Sequence, residues 1–208
     1  MTRVKICGLK DGLDLEGALQ AGADAVGFIV EIEQSRRCIS ASAARELIDM
    51  VPPFVASVAV IHPRDLDDAL RLAEDTGADL LQIHSRLKRE ELRRLRDSVS
   101  QRIIIACRAE GDEALRMAPL ADAILLDTCK NGVLGGTGET HDWNLSARLV
   151  RELKVPVILA GGLGPDNVCQ AVRTVRPHAV DVASGVEVEG RKDRGRMEQF
   201  VEQVRSCR

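Results

Sequence analysis

A cysteine at position 7 and an aspartate at position 127 each end a short aliphatic run, and each passes directly into loop residues. A thiolate accepts protons, and a carboxyl whose pKa is raised by burial donates them near neutral pH, so the two residue types together suit acid–base catalysis. Taken singly they have plainer readings, a small buried hydrophobe and a turn-forming Asp. A second chemistry is marked by glycines. Gly136-Thr137-Gly138, Gly161-Gly162 and Ser184-Gly185 follow three successive aliphatic runs. Glycine lets main-chain N–H groups turn toward an anion, so the three segments together predict a phosphate site. His62, His141 and His178 are too scattered to suggest a metal, and His84 beside Gln82 is the histidine to watch. The six cysteines have no C-x-x-C spacing; reduced thiols and no metal are expected.

The elements that must carry these residues are legible as an alternation. Eight β-branched or aliphatic runs, at 4–7, 25–30, 55–61, 80–84, 103–107, 123–127, 157–160 and 179–183, are separated by stretches with helical periodicity. Ala44, Leu47, Ile48 and Val51 share one helical face, as do Val168, Ala171, Val172 and Val175. The stretch after Cys107 (Ala114, Leu115, Ala118) predicts only a short helix. At about 26 residues per unit, eight units fill the 208 residues as a compact single-domain (β/α)₈ barrel spanning 1–208. Closure is favoured over an open sheet because no spare element covers an edge. In such a barrel the reacting groups stand at the C-terminal strand ends, where Cys7 and Asp127 fall. The longest irregular stretch, 128–142, follows the sixth run, and Trp143 is expected to pack it down with its indole N–H finding a local acceptor.

Composition narrows the partners. Twenty-nine basic against 32 acidic residues give a net charge of −3, and one Trp, three Phe and no Tyr leave few stacking platforms, so nucleic acid is not an expected partner. The basic run from Arg86 to Arg96 is interleaved with Glu90, Glu91, Leu92 and Leu95 and fits a solvated helix face. No apolar run is long enough for a membrane span, and the opening residues contain no signal-like stretch, so a cytoplasmic protein is expected. The helix faces leave monomer and homodimer equally open.

Several ordered motifs carry a resemblance. Val4-Lys5-Ile6-Cys7-Gly8, Gly22-Ala23-Asp24-Ala25-Val26-Gly27-Phe28, Ser35-Arg36-Arg37, Leu125-Leu126-Asp127, Gly135-Gly136-Thr137-Gly138, Ala160-Gly161-Gly162-Leu163 and Asp181-Val182-Ala183-Ser184-Gly185-Val186-Glu187 run in order along the chain. Together they resemble the phosphoribosylanthranilate isomerases from the first strand to the last helix. The resemblance implies an Amadori rearrangement without cofactor, on a small phosphorylated substrate. It implies Cys7 as general base, Asp127 as general acid, Arg37 as ligand of the anthranilate carboxylate and Asp181 as partner of the sugar hydroxyls, with Gly136, Thr137, Gly138, Gly161, Gly162, Ser184 and Gly185 around the phosphate. Arg36 stands where the family commonly has proline and could share the role of Arg37; Ser85 and Ala183 are further departures. Lys5 and Arg37 are the cations that could support a Cys7 thiolate. The alternatives are a noncatalytic sugar-phosphate-binding barrel and the related histidine-pathway aminoaldose isomerase.

Overall fold

The computed structural model describes residues 1–84, 87–130, 133–134 and 142–207, with the backbone alone at 129–130 and 133–134. The eight expected runs form parallel strands: β1 (Arg3–Cys7), β2 (Ala25–Val30), β3 (Ala56–Ile61), β4 (Leu80–Ile83), β5 (Arg102–Arg108), β6 (Ala123–Asp127), β7 (Val157–Leu159) and β8 (Ala179–Val182). Each pairs with its neighbours in sequence, and β1 pairs with both β2 and β8, which closes the cylinder. A two-residue strand, Cys38–Ile39, extends the edge of β2 at its C-terminal end. Eight helices return the chain: α1 (Gly12–Ala21), α2 (Ala41–Ile48), α3 (Leu66–Thr76), α4 (Arg89–Ser98), α5 (Glu113–Met117), α6 (Trp143–Glu152), α7 (Val168–Val175) and α8 (Arg194–Ser206). As the weak periodicity after Cys107 predicts, α5 is the shortest of them.

Local chemistry explains the helix starts. Asp11, Ser40, Asp65, Asp142 and Asp193 each accept from a backbone N–H of the first turn, satisfying a donor that has no intrahelical partner. Another device stitches the opposite end of the barrel. Asp24, Asp79 and Asp122, each just ahead of an even-numbered strand, accept from the N–H of Val4, Ser57 and Ile103 on the odd-numbered strand before it, at 2.8 Å in all three cases.

Strand periodicity of two divides the apolar residues into two cores. Val4, Ile6, Val26, Phe28, Leu81 and Leu126 point outward and pack under the helices. Cys7, Val58, Val60, Ile104, Ala106, Leu125, Ile158, Ala160 and Ala179 fill the cylinder itself. On the same inward register the buried polar residues Lys5, Gln82, Asp127 and Asp181 appear, so the interior becomes polar toward one mouth.

Two expectations are corrected here. Cys169 on α7 and Cys207, just past α8, form a disulfide with Cα atoms 5.5 Å apart, so the reading of all six cysteines as reduced thiols does not hold. Their separation of 38 residues hides a contact made by adjacent helices; Cys7, Cys38 and Cys107 are free. The Trp143 indole N–H is buried without an acceptor among the described residues. On α4, Leu92 and Leu95 are buried while Arg93 pairs with Glu90 at 2.9 Å, the solvated face expected of the basic run.

Candidate active site

The site is built from β1 outward. Because side chains alternate along a strand, Lys5 and Cys7 share the inward face, and both stand over Gly27 of β2. A Cβ at Gly27 would lie 2.9 Å from Cys7 Sγ and 3.0 Å from Lys5 Nζ, so only glycine leaves room for the two heads. Across the other edge of β1, Lys5 is in register with Asp181 of β8, and its Nζ donates to Asp181 Oδ1 at 2.8 Å inside the barrel. Burial disfavours the Lys5 ammonium, but Asp181 and the Cys7 sulfur outweigh it and hold the pKa above its ordinary value. Cys7, at 4 % exposure, has its thiol pushed up by burial, with Lys5 and then Lys192 pulling the other way and Asp181 adding to the rise.

Asp127 closes β6 and is 7 % exposed. Burial, and after it the charge of Asp181, raises its carboxyl to about 7; the Thr128 N–H on Oδ1 at 2.7 Å and the charge of Lys5 temper the rise. Asp127 and Cys7 therefore feel the same Lys5–Asp181 pair, which stands among the strand ends of one mouth. His84, beyond β4, meets the Nε2 of Gln82 at 2.7 Å, and desolvation followed by the Lys5 charge lowers its pKa to about 4, so the ring is neutral. Gln82 Oε1 is buried with no partner among the described residues.

Burying a carboxyl that titrates near 7 has a stability consequence. An aspartate whose folded pKa is raised binds its proton in the native state at pH values where the unfolded chain has lost it, so stability falls as pH rises from about 4 to about 7. Asp127→Asn is therefore expected to raise the unfolding free energy at pH 8 by up to about 4 kcal/mol. The gain should shrink steadily between pH 7 and 4 and vanish below it. Denaturant titrations of both proteins at three pH values check this, and equal stability at pH 8 would refute the buried-acid description.

The glycine segments converge beside these residues. Gly161 (φ +85°) and Gly162 (φ +63°) turn the chain after β7, and Asn167 pins that turn by donating to Gly162 O and accepting from Gly164 N, both at 2.9 Å. A Cβ on Gly161 would strike Thr128, and one on Gly185 would strike the Leu163 carbonyl oxygen, so the loops after β6, β7 and β8 touch through their glycines. Among the described residues, the N–H groups of Gly161, Gly162 and Ser184 donate to no protein acceptor. That leaves main-chain donors for an anion. Gly136, Thr137 and Gly138 lie outside the described residues. Gly185→Ala forces backbone against backbone, which no side-chain rotation relieves, and should weaken inorganic phosphate binding roughly tenfold. Titration calorimetry on the two proteins reads it, and unchanged affinity would refute the expectation that Gly185 shapes an anion site.

Arg37 lies just ahead of Cys38–Ile39 and is buried, its stem crossing over Gly8, where a Cβ would collide with Arg37 Cδ. Gly8 has φ +79°, so the residue that follows Cys7 both turns the chain and clears that path. The guanidinium is gripped by Glu187, in the hairpin formed by Glu187–Val188 and Arg191–Lys192 after β8. Glu187 and Lys192 were missed as site residues in the sequence. The signal was present: Glu189-Gly190 between them is a turn, and Glu189 (φ +49°) and Gly190 (φ +81°) both adopt left-handed backbone, bringing Lys192 back opposite Glu187. No group of His, Cys, Asp and Glu among the described residues has the arrangement of a metal site.

The chain is similar to known proteins along its whole length. The family model described as N-(5'-phosphoribosyl)anthranilate (PRA) isomerase matches residues 4–203. The N-(5'-phosphoribosyl)anthranilate isomerase of Methanothrix thermoacetophila is 55% identical over 207 residues, covering 100% of both chains. The crystal structure of phosphoribosyl anthranilate isomerase from Thermotoga maritima is similar at TM-score 0.86 and 34% identity, covering 99% of each chain. A phosphoribosyl anthranilate isomerase solved in complex with reduced 1-(o-carboxyphenylamino)-1-deoxyribulose 5-phosphate is similar at TM-score 0.82 and 32% identity, again over 99% of each chain. With the motifs, the closed barrel and these matches in agreement, the chain belongs to the N-(5'-phosphoribosyl)anthranilate isomerase family.

Proposed function

We infer that this chain isomerises N-(5-phosphoribosyl)anthranilate to 1-(2-carboxyphenylamino)-1-deoxyribulose 5-phosphate, an aldose-to-ketose step of tryptophan biosynthesis. The observation that carries the reading is a carboxyl with pKa about 7 and a thiol, both responding to one buried Lys5–Asp181 pair at the mouth of a glycine-lined barrel. Protonated Asp127 gives its proton to the ribose ring oxygen as the C1–O bond breaks, leaving an iminium ion between C1 and the anthranilate nitrogen. The positive nitrogen acidifies the C2–H, and Cys7 as thiolate takes that proton, with the electron pair flowing into a C1–C2 double bond. The enolamine then ketonises, losing the proton of its C2 hydroxyl and gaining one at C1. Reactant and product have the same oxidation state overall, so no redox partner enters the scheme.

The remaining site residues follow as part of this proposal. The Gly161-Gly162 and Ser184-Gly185 turns, with Gly136, Thr137 and Gly138, hold the phosphate. Asp181 takes a sugar hydroxyl on the oxygen turned away from Lys5, and Arg37 takes the anthranilate carboxylate. One domain, 1–208, suffices as monomer or homodimer. Among the described residues no helix is long and apolar enough to cross a membrane, and a cytoplasmic setting suits a biosynthetic enzyme of small metabolites. The test is direct: addition of the protein to N-(5-phosphoribosyl)anthranilate should extinguish the substrate's fluorescence with multiple turnovers. Binding without turnover would favour the noncatalytic barrel, and preferential turnover of the histidine-pathway aminoaldose in a competition assay would favour that relative.

A further inference from the structure

Glu187 is the most heavily engaged carboxylate at the mouth. Its Oε1 accepts from Arg37 Nε at 2.6 Å and from Lys192 Nζ at 3.0 Å; its Oε2 accepts from Arg37 Nη2 at 2.9 Å and from Arg36 Nη2 at 2.6 Å. Four donors on two oxygens fill the acceptor capacity of a carboxylate, so Glu187 has nothing left to offer a ligand. The Arg37 contact is the side-on, two-bond fork that guanidinium and carboxylate form when both are fixed. Behind it, the Lys192 side chain is 2 % exposed and also donates to Ala183 O at 2.8 Å, which ties the cluster to the end of β8. Burial works to raise the Glu187 carboxyl, but the Arg37 hydrogen bonds and the Lys192 charge prevail and hold it at about 2, ionised throughout the working range.

Three cations on one carboxylate leave a positive surplus on the arginine side, and the Arg37 stem that carries part of it passes Gly8, the residue after Cys7. A ligand carboxylate could neutralise that surplus by displacing Glu187 or by joining the cluster on its free donors. Displacement takes the Arg37 fork and the Arg36 contact from a buried carboxylate and leaves it to Lys192 alone, an unfavourable outcome. Joining requires only donors still open. Arg37 Nη1 has no partner among the described residues, and Arg36, whose side chain is 59 % exposed, spends one nitrogen on Glu187.

We propose that Glu187 is the positioning residue of the aromatic-acid subsite: it holds Arg37 and Arg36 side by side on its two oxygens, so that the anthranilate carboxylate is met by two guanidiniums. The proposal rests on the assignment of Arg37 to the substrate's carboxylate and adds Glu187 and Arg36 to it. Lys192 completes the brace by balancing the oxygen that Arg36 does not reach. Arg36 passes beside the Gly190 turn, where a Cβ would lie 3.4 Å from its Nη1.

The experiment compares two ligands on the full chain by calorimetry: the reduced product analogue, and its phenylamino counterpart without the carboxyl group. In E187Q the carboxylate-bearing analogue should bind about tenfold or more weakly, the scale of a lost charged hydrogen bond, while the counterpart changes less than about threefold. In turnover the loss should fall on KM more than on kcat. E187D keeps the charge but shortens the reach, and should show a smaller loss of the same preference; it decides the question if E187Q binds neither ligand. Equal weakening of both ligands in E187D, or unchanged preference in either variant that binds, overturns the brace. R37M separates the two layers: if it retains the wild-type preference, the Arg37 assignment fails and the brace with it, whereas loss in R37M with preference intact in E187Q refutes the brace alone.

Discussion

Asp127→Asn is expected to lower kcat/KM by about 10²–10⁴-fold, the range for loss of a positioned general acid. The amide keeps shape and most of the packing at the end of β6 but has no proton to give to the ring oxygen. The pH dependence carries the sharper expectation. In the free enzyme the acid, at about 7, titrates below the thiol, which burial lifts above its ordinary value. On the proposed assignment the productive state has Asp127 protonated and Cys7 ionised, and it is therefore a minority state at every pH. Its population rises with pH until Asp127 titrates, stays level, and falls only after Cys7 titrates. Removing the acid removes its half of the product: the residual activity of Asp127→Asn should climb with pH through the wild-type plateau until the thiol has ionised. A residual profile that levels off near pH 7 as the wild type does would refute the assignment.

Cys7→Ala should cost a comparable 10²–10⁴-fold, since nothing else on the inward face of β1 is a base while Lys5 remains protonated against Asp181. Here the residual profile must show the other half: flat at low pH and declining above about 7 as Asp127 loses its proton. The two variants thus bend in opposite directions, a pattern that general destabilisation cannot produce. Alkylation of the wild-type thiol, followed as a rate against pH, should give a titration above that of an ordinary cysteine, in agreement with the upper limb of the wild-type profile. If alkylation is complete at neutral pH with low pKa, the thiol is not the group on the upper limb.

Burying an acid near its working pKa is also why the Asp127→Asn variant is expected to be more stable while losing most of its activity. Active-site residues are retained at a cost in stability when their function needs the unfavourable environment. The same logic applies to Gly27, which leaves part of the barrel interior without a side chain so that Lys5 and Cys7 can stand over β2.

Much of this was legible along the chain because it depends on local order. Eight aliphatic runs at regular spacing gave eight strands within a residue or so of their observed ends, since a buried parallel strand reads as a continuous apolar stretch. The placement of Cys7 and Asp127 at strand ends was legible because the ends of apolar runs are visible in sequence. The glycine turns after β7 and β8 were legible for the same reason. The Cys169–Cys207 bond was not, since pairing between adjacent helices leaves no periodic trace. Nor was the absence of an acceptor for the Trp143 indole among the described residues, since that depends on how distant segments meet.

Residue types and their order determined which groups could move a proton and that a closed barrel would collect them at one rim. What only the folded chain decided is the electrostatic company each group keeps. Lys5 meets Asp181 because closure of the cylinder puts β1 beside β8, 176 residues apart in sequence. Arg37 meets Glu187 across 150 residues because its stem crosses Gly8 toward the hairpin that follows β8. Periodicity fixes which way a side chain points, but charge–charge and desolvation energies depend on distances through space, and those exist only once the ring has closed.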